Sequence, residues 1–210
     1  KIRKITVSLR KYDILKVFIT AKYKVHRTKG NREMILENEK IKQALEYIKE
    51  EDPATTQDML NMCQIPAPSY KEEKKAEYIR ERFREIGLRD VRIDAVGNVL
   101  GIWPGTGEGP SVMLAAHTDT VFPEGTDLSI RKEGNRYYCP GINDDTHAVA
   151  EMIAVAKAMI HADLHTKGDL IFCANVCEEG LGDRKGREVS VRIRQQSFRR
   201  MSRGRCICLD

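Results

Sequence analysis

The chain has 210 residues, 41% of them apolar and 32% charged, and a net charge of +5. That length suits one domain with extensions and can bury a sizeable core, and the composition excludes a fibrous or wholly disordered chain. No apolar run approaches the ~20 residues that a membrane span needs, and no signal-peptide core follows the basic start, so a cytoplasmic protein that meets no membrane is expected.

The net charge conceals an asymmetry. Residues 1–32 hold eleven Lys/Arg against Asp13 alone, and residues 184–210 hold nine against Glu188 and Asp210. With +10 and +7 at the two ends, residues 33–183 carry −12. The chain therefore divides into a basic extension (1–32), an acidic domain (33–186) and an Arg-rich tail (187–210). Residues 187–205 have lost the domain's balance of acids and apolar residues. A shifted reading frame, partly restored near "CICLD", accounts for that break, and one clean frame in independent nucleotide reads would refute it. The six cysteines, Cys63, Cys139, Cys173, Cys177, Cys206 and Cys208, are scattered without the paired CxxC spacing of zinc knuckles, so reduced, mostly buried thiols are expected.

In chain order, residues 1–32 show no clean period and are expected to be weakly structured. Residues 37–50 space Ile41, Leu45 and Ile48 along one helix face. A short helical stretch over 54–63 precedes the break "PAPSY" at 66–70. Ser69 with Glu72 three places on predicts a capping box for the next helix, and Gly87 predicts its end. "VRIDAVGNVLGIW" and "SVMLAAH" predict strands on either side of a turn-rich "PGTGEGP". "LSIRKEGNRYYC" predicts a hairpin around Glu133-Gly134-Asn135. Residues 145–161 pattern as a helix, and "DLIFCANVC" as a buried strand. Helix, strands, helix, strand predicts an α/β sandwich.

Three motifs carry chemistry, each where a strand or hairpin yields to a loop, the place where α/β folds tend to put their sites. In His117-Thr118-Asp119, residues two apart share a side of an extended chain. His117 can bind a metal with Asp119 orienting it, or the two can be a hydrogen-bonded pair at a sheet edge. In "GINDDTHAVA", Asp144 and Asp145 open a helix, as N-caps, metal ligands or one of each. In "CEEGLGD", Glu178-Glu179 follow a buried strand, either as a solvated loop start or with one carboxylate on a metal and the other as general base. One histidine with several acids suits zinc, with cobalt or manganese as alternatives. HExxH, GxSxG and Walker-type glycine loops are absent from the sequence.

From about residue 54 to 186 these motifs, in this order and spacing, resemble the dizinc metallopeptidase family of aminoacylases, acetylornithine deacetylases, glutamate carboxypeptidases and peptidase-T-like tripeptidases. The resemblance implies a three-layer α/β catalytic domain that binds two zinc ions and hydrolyses amide bonds in small peptides or N-acyl amino acids. It implies His117 as a ligand of one zinc, Asp119 as the acid orienting it, Asp144 as a carboxylate bridging both, Glu178 as general base and Glu179 as a ligand of the other. The family has a further carboxylate ligand at a later strand end, for which Asp210 is the only candidate. It also has a lid domain, used for dimerisation, and a last histidine ligand. Both are expected to be missing here, which leaves a truncated, inactive remnant holding at most one metal as the alternative to an active hydrolase. His147, on the helix start, is expected to be a surface residue. A nucleic-acid-binding role for the basic ends is disfavoured, since aromatics are sparse there and no recognition motif accompanies the charge.

Overall fold

The computed structural model describes residues 36–179 and a strand at 205–208. The basic extension and most of the Arg-rich tail lie outside the described residues. Helix α1 (Glu39–Glu50) starts where the Asn38 side chain accepts from the N–H groups of Lys40 and Ile41, and it buries Ile41, Ala44 and Ile48. Helix α2 (Asp52–Cys63) begins two residues earlier than its pattern predicts. Pro53 sits in its first turn, where a missing N–H costs nothing. Helix α3 (Glu73–Glu85) buries Ala76, Ile79 and Phe83. It ends as predicted: Gly87, at φ +90°, donates to Arg84 O at 3.0 Å, and Leu88 N–H donates to Phe83 O at 3.1 Å.

The start of α3 corrects the sequence reading. Glu72 stands at its N-terminus without any side-chain cap bond, and the expected Ser69–Glu72 capping box does not form. Both side chains are engaged by the loops at the strand ends, described below.

Strands β1 (Arg89–Ile93) and β2 (Val99–Trp103) form an antiparallel hairpin. They belong to a five-stranded sheet with β3 (Val112–His117), β6 (Leu170–Asn175) and β7 (Arg205–Cys208), in the order β1-β2-β6-β3-β7. β2 pairs antiparallel with β6, while β6 with β3 and β3 with β7 are parallel. β4 (Arg131–Glu133) and β5 (Arg136–Tyr138) make the predicted hairpin, with Gly134 at φ +57° in its turn. Helix α4 (His147–His161) connects this region to β6.

Alternation along the central strands places Val99, Leu114, Ala116, Phe172 and Ala174 in one core with the helices, and Leu100, Met113, Ala115 and Cys173 in a second cluster. Among the described residues the four helices share the first core, so an α/β sandwich is present with two layers described. Gly101 lets α3 lie close to β2, since a Cβ there would stand 2.9 Å from Leu88 Cδ1 and 3.0 Å from Phe83 Cδ2. Helix α4 is buried nearly all round, with Val149, Met152, Ile153, Val155 and Met159 each almost wholly enclosed, because it is wedged between β3 and helices α1 and α2.

Polar ties bind the helical layer as well. Buried Asp58 on α2 accepts from Arg82 of α3 at 2.9 Å and from Lys157 of α4 at 3.3 Å. Asp58→Ala is expected to cost about 2–4 kcal/mol by removing this partner from Lys157 and leaving Arg82 with Glu85 alone. The check is a lower urea midpoint at an unchanged slope. An unmoved midpoint would show that the pairs contribute nothing net.

Candidate metal centre

Because β3 and β6 are parallel and pair His117 with Asn175 at their last residues, both chains leave the sheet at the same edge. Thr118 N–H donates to Asn175 O at 2.8 Å and keeps the two exits together. The "PAPSY" segment closes one side: Pro68 bridges Thr120, and Thr120 N–H donates to Ala67 O at 2.8 Å. A turn at 142–146 closes another, after Gly141 at φ +75°. A Cβ on Gly141 would lie 2.6 Å from Thr120 Cγ2, so this glycine lets the turn pack against the exit of β3. The Asp144–Asp145 peptide is cis.

Asp119 is the hub. It is fully buried, and its carboxylate accepts from Ser69 Oγ at 2.7 Å, Glu178 N–H at 3.0 Å and Glu179 N–H at 2.9 Å. Burial alone would raise its pKa, but the bonds from His117, Ser69 and the two backbone N–H groups prevail and hold it down to about 2. A permanently charged carboxylate therefore joins the β3 exit to the β6 exit.

His117 is buried, with Nδ1 3.0 Å from Asp119 O and 3.5 Å from Asp119 Oδ1. Its Nε2 lies 3.0 Å from Asp144 Oδ1, and its backbone N–H donates to Asp145 Oδ2 at 3.1 Å. Burial disfavours the imidazolium, yet Asp119, Asp145 and Asp144 outweigh it and raise the pKa to about 9. A cation entering here takes the place of a proton.

One ligand atom each from His117, Asp144 and Glu179 lies within 4.8 Å of the others. Burial, followed by the nearby Asp144 charge, raises the pKa of Glu179. Crowded carboxylates around an imidazole Nε2 fit a small divalent cation, which takes N and O donors at about 2.0–2.2 Å. Glu178 is half-buried beside Glu179, its N–H on the other oxygen of Asp119. A cleft of about 550 Å³ lies on the far side of Glu72, between α3 and the β1–β2 turn, and none of His117, Asp144, Glu178 or Glu179 lines it.

One reading of the aspartates is corrected: neither caps α4, whose first turn has no side-chain cap bond. Asp145 is buried under the His117 backbone, while the Asp144 side chain is 72% exposed at the mouth of the cluster. His147 is not a surface residue; it is half-buried, with Nε2 2.9 Å from Glu151 Oε1 but without hydrogen-bond geometry. Asp210 lies outside the described residues, although β7 runs beside β3 as far as Cys208 opposite Ala115.

Sequence reasoning missed Ser69 and Glu72 as parts of the site. Ser69 Oγ also lies 3.2 Å from Glu179 O, and Glu72, buried with its pKa raised chiefly by burial, accepts from Cys177 N–H at 3.0 Å. Both steady the loop that carries the two glutamates. Ser69→Ala is expected to weaken metal binding about 10- to 100-fold, the range seen when a partner behind a ligand is lost. Metal titration of the variant checks this, and wild-type affinity would refute it.

Residues 113–199 match the model of Peptidase family M20/M25/M40. That segment of the chain is similar to the M20 peptidases. A putative LysW-lysine/LysW-ornithine hydrolase of Pyrococcus abyssi is 35% identical over 119 residues, 57% of this chain and 32% of that protein. Among solved structures, human carnosine dipeptidase 1 matches with a TM-score of 0.62 at 14% identity, covering 75% of this chain and 38% of its own. A Bacillus subtilis protein, YXEP, described as a dinuclear metal-binding peptidase from the M20 family, matches with a TM-score of 0.51 at 19% identity, covering 68% and 40%. At those identities the likeness is one of fold alone. The chain spans about a third of the length of the Pyrococcus relative. The four described cysteines, Cys63, Cys139, Cys173 and Cys177, are buried thiols outside any disulfide. Among the described residues no helix is long and apolar enough to cross a membrane.

Proposed function

We propose that this chain carries the metal-binding part of a catalytic site that hydrolyses amide bonds in small peptides or N-acyl amino acids, with zinc as the native metal. The observation that carries this reading is the convergence of His117, Asp144 and Glu179 within 4.8 Å at one sheet edge. The names of the hydrolase and dipeptidase relatives support the reaction class, and the dinuclear relative supports a two-ion site.

In this reading His117, Asp144 and Glu179 would hold the zinc, with Asp210 as a candidate further ligand. When bound, zinc polarises a carbonyl and brings the pKa of water down to about 7. Asp119 keeps the His117 ring oriented and holds the Glu178–Glu179 backbone still. Glu178 takes a proton from the attacking water and returns it to the departing amine.

The test is turnover of a panel of dipeptides and N-acetyl amino acids by the zinc-loaded chain, before and after chelation. Hydrolysis lost to chelator and restored by zinc is expected. Stoichiometric zinc without turnover of any member would instead favour a metal-holding chain without catalysis.

A further inference from the structure

A second cluster of reactive side chains lies behind the metal site. Cys63 ends α2 and Cys139 follows β5, 76 residues apart in sequence. Cys139 Sγ lies 3.7 Å from Cys63 O and 3.4 Å from Leu128 O, and Cys63 Sγ lies 3.4 Å from Pro140 O. Lys75 of α3 is only 2% exposed, and its Nζ donates to Thr146 Oγ1 at a long 3.5 Å. Cys63, Lys75, Thr120 and Pro140 help line a cavity of about 10 Å³, space for roughly one water-sized molecule. Burial lowers the Lys75 pKa, and negative charge at Cys63 or Cys139 opposes that effect and favours the ammonium.

We propose that Cys63 and Cys139 are a dithiol modification site for hydrogen peroxide, whose product is a disulfide tying the end of α2 to the turn that carries Asp144. The geometry supplies two buried thiols that each approach the other's stretch of backbone, with Lys75 and Cys63 lining one small cavity. Cys139 is the attacking sulfur. The hydrogen bond from Cys63, and then the Lys75 charge, lower its pKa against the opposing effect of burial, while the same bond and burial raise that of Cys63. The Cys139 thiolate displaces hydroxide from peroxide and becomes a sulfenic acid. The Cys63 thiol then attacks that sulfur, the S–O bond breaks, and water leaves. Two thiols and one peroxide become one disulfide and two waters. The cross-link ends five residues before Asp144, so it anchors the start of the 142–146 turn.

The experiment treats the reduced, purified chain with hydrogen peroxide and maps its peptides by mass spectrometry, a readout that needs neither metal nor turnover. A Cys63–Cys139 linked peptide is expected, about 2 Da lighter than its two thiols and restored by dithiothreitol. In Cys63→Ser the link cannot form, and Cys139 should instead gain about 32 Da as sulfinic acid. Lys75→Met should slow cross-linking about tenfold by removing the charge that favours thiolate. The proposal is overturned if Cys139 over-oxidises in the unmutated chain while Cys63 stays a thiol, if both stay reduced, or if either pairs with another cysteine.

Discussion

Asp144→Ala is expected to strip the chain of its metal while leaving its fold intact. Asp144 offers the oxygen that meets His117 Nε2 at 3.0 Å and shares a 4.8 Å cluster with Glu179. Its side chain is 72% exposed, so truncation removes a ligand without opening a cavity. Losing a partner behind a ligand already costs 10- to 100-fold in affinity, so losing the ligand should cost more than ~100-fold. Asp145→Ala provides the contrast. That carboxylate is buried and accepts the His117 N–H, so its loss should lower stability by about 1–3 kcal/mol. Zinc per chain after dialysis, measured beside thermal unfolding, separates the two. Wild-type zinc content in Asp144→Ala would mean that the cluster is not the ligand set.

Glu178→Gln is expected to lower kcat by about 10²- to 10⁴-fold with zinc content unchanged, the range that a positioned general base contributes. Glu179→Gln should do the reverse, losing zinc first and turnover as a consequence. The contrast is clean because the backbone N–H groups of both residues are held by Asp119 whatever their side chains become. Kinetics and metal analysis on the same preparations decide it. If Glu178→Gln loses zinc and keeps kcat per bound metal, the two roles are exchanged.

The sequence by itself determined the elements and the places where chemistry could sit. Ile41 and Ile48, or Ile79 and Phe83, recur at helical spacing because each helix needs one buried stripe. Two of the three acidic motifs were legible because apolar strands stop at them, and the third because it follows a hairpin and opens a patterned helix. Gly87 and Gly134 announced chain reversals through the positive φ that each adopts.

Only the tertiary structure decided which polar groups those motifs would meet. Ser69 and Glu72 satisfy a local capping pattern, yet folding delivers them to Asp119 and to Cys177, 50 and 105 residues away. Asp144 and Asp145 stand at a helix start, and the pairing of β3 with β6 turns them to His117 instead. Cys63, Cys139 and Lys75 showed nothing in sequence, being scattered residues of unlike elements. Apolar periodicity reports how a segment buries itself, which its own residues settle. A buried carboxylate, thiol or ammonium must find its partner wherever the chain closes on it, and that closure is set by sheet register and helix packing rather than by neighbours in sequence.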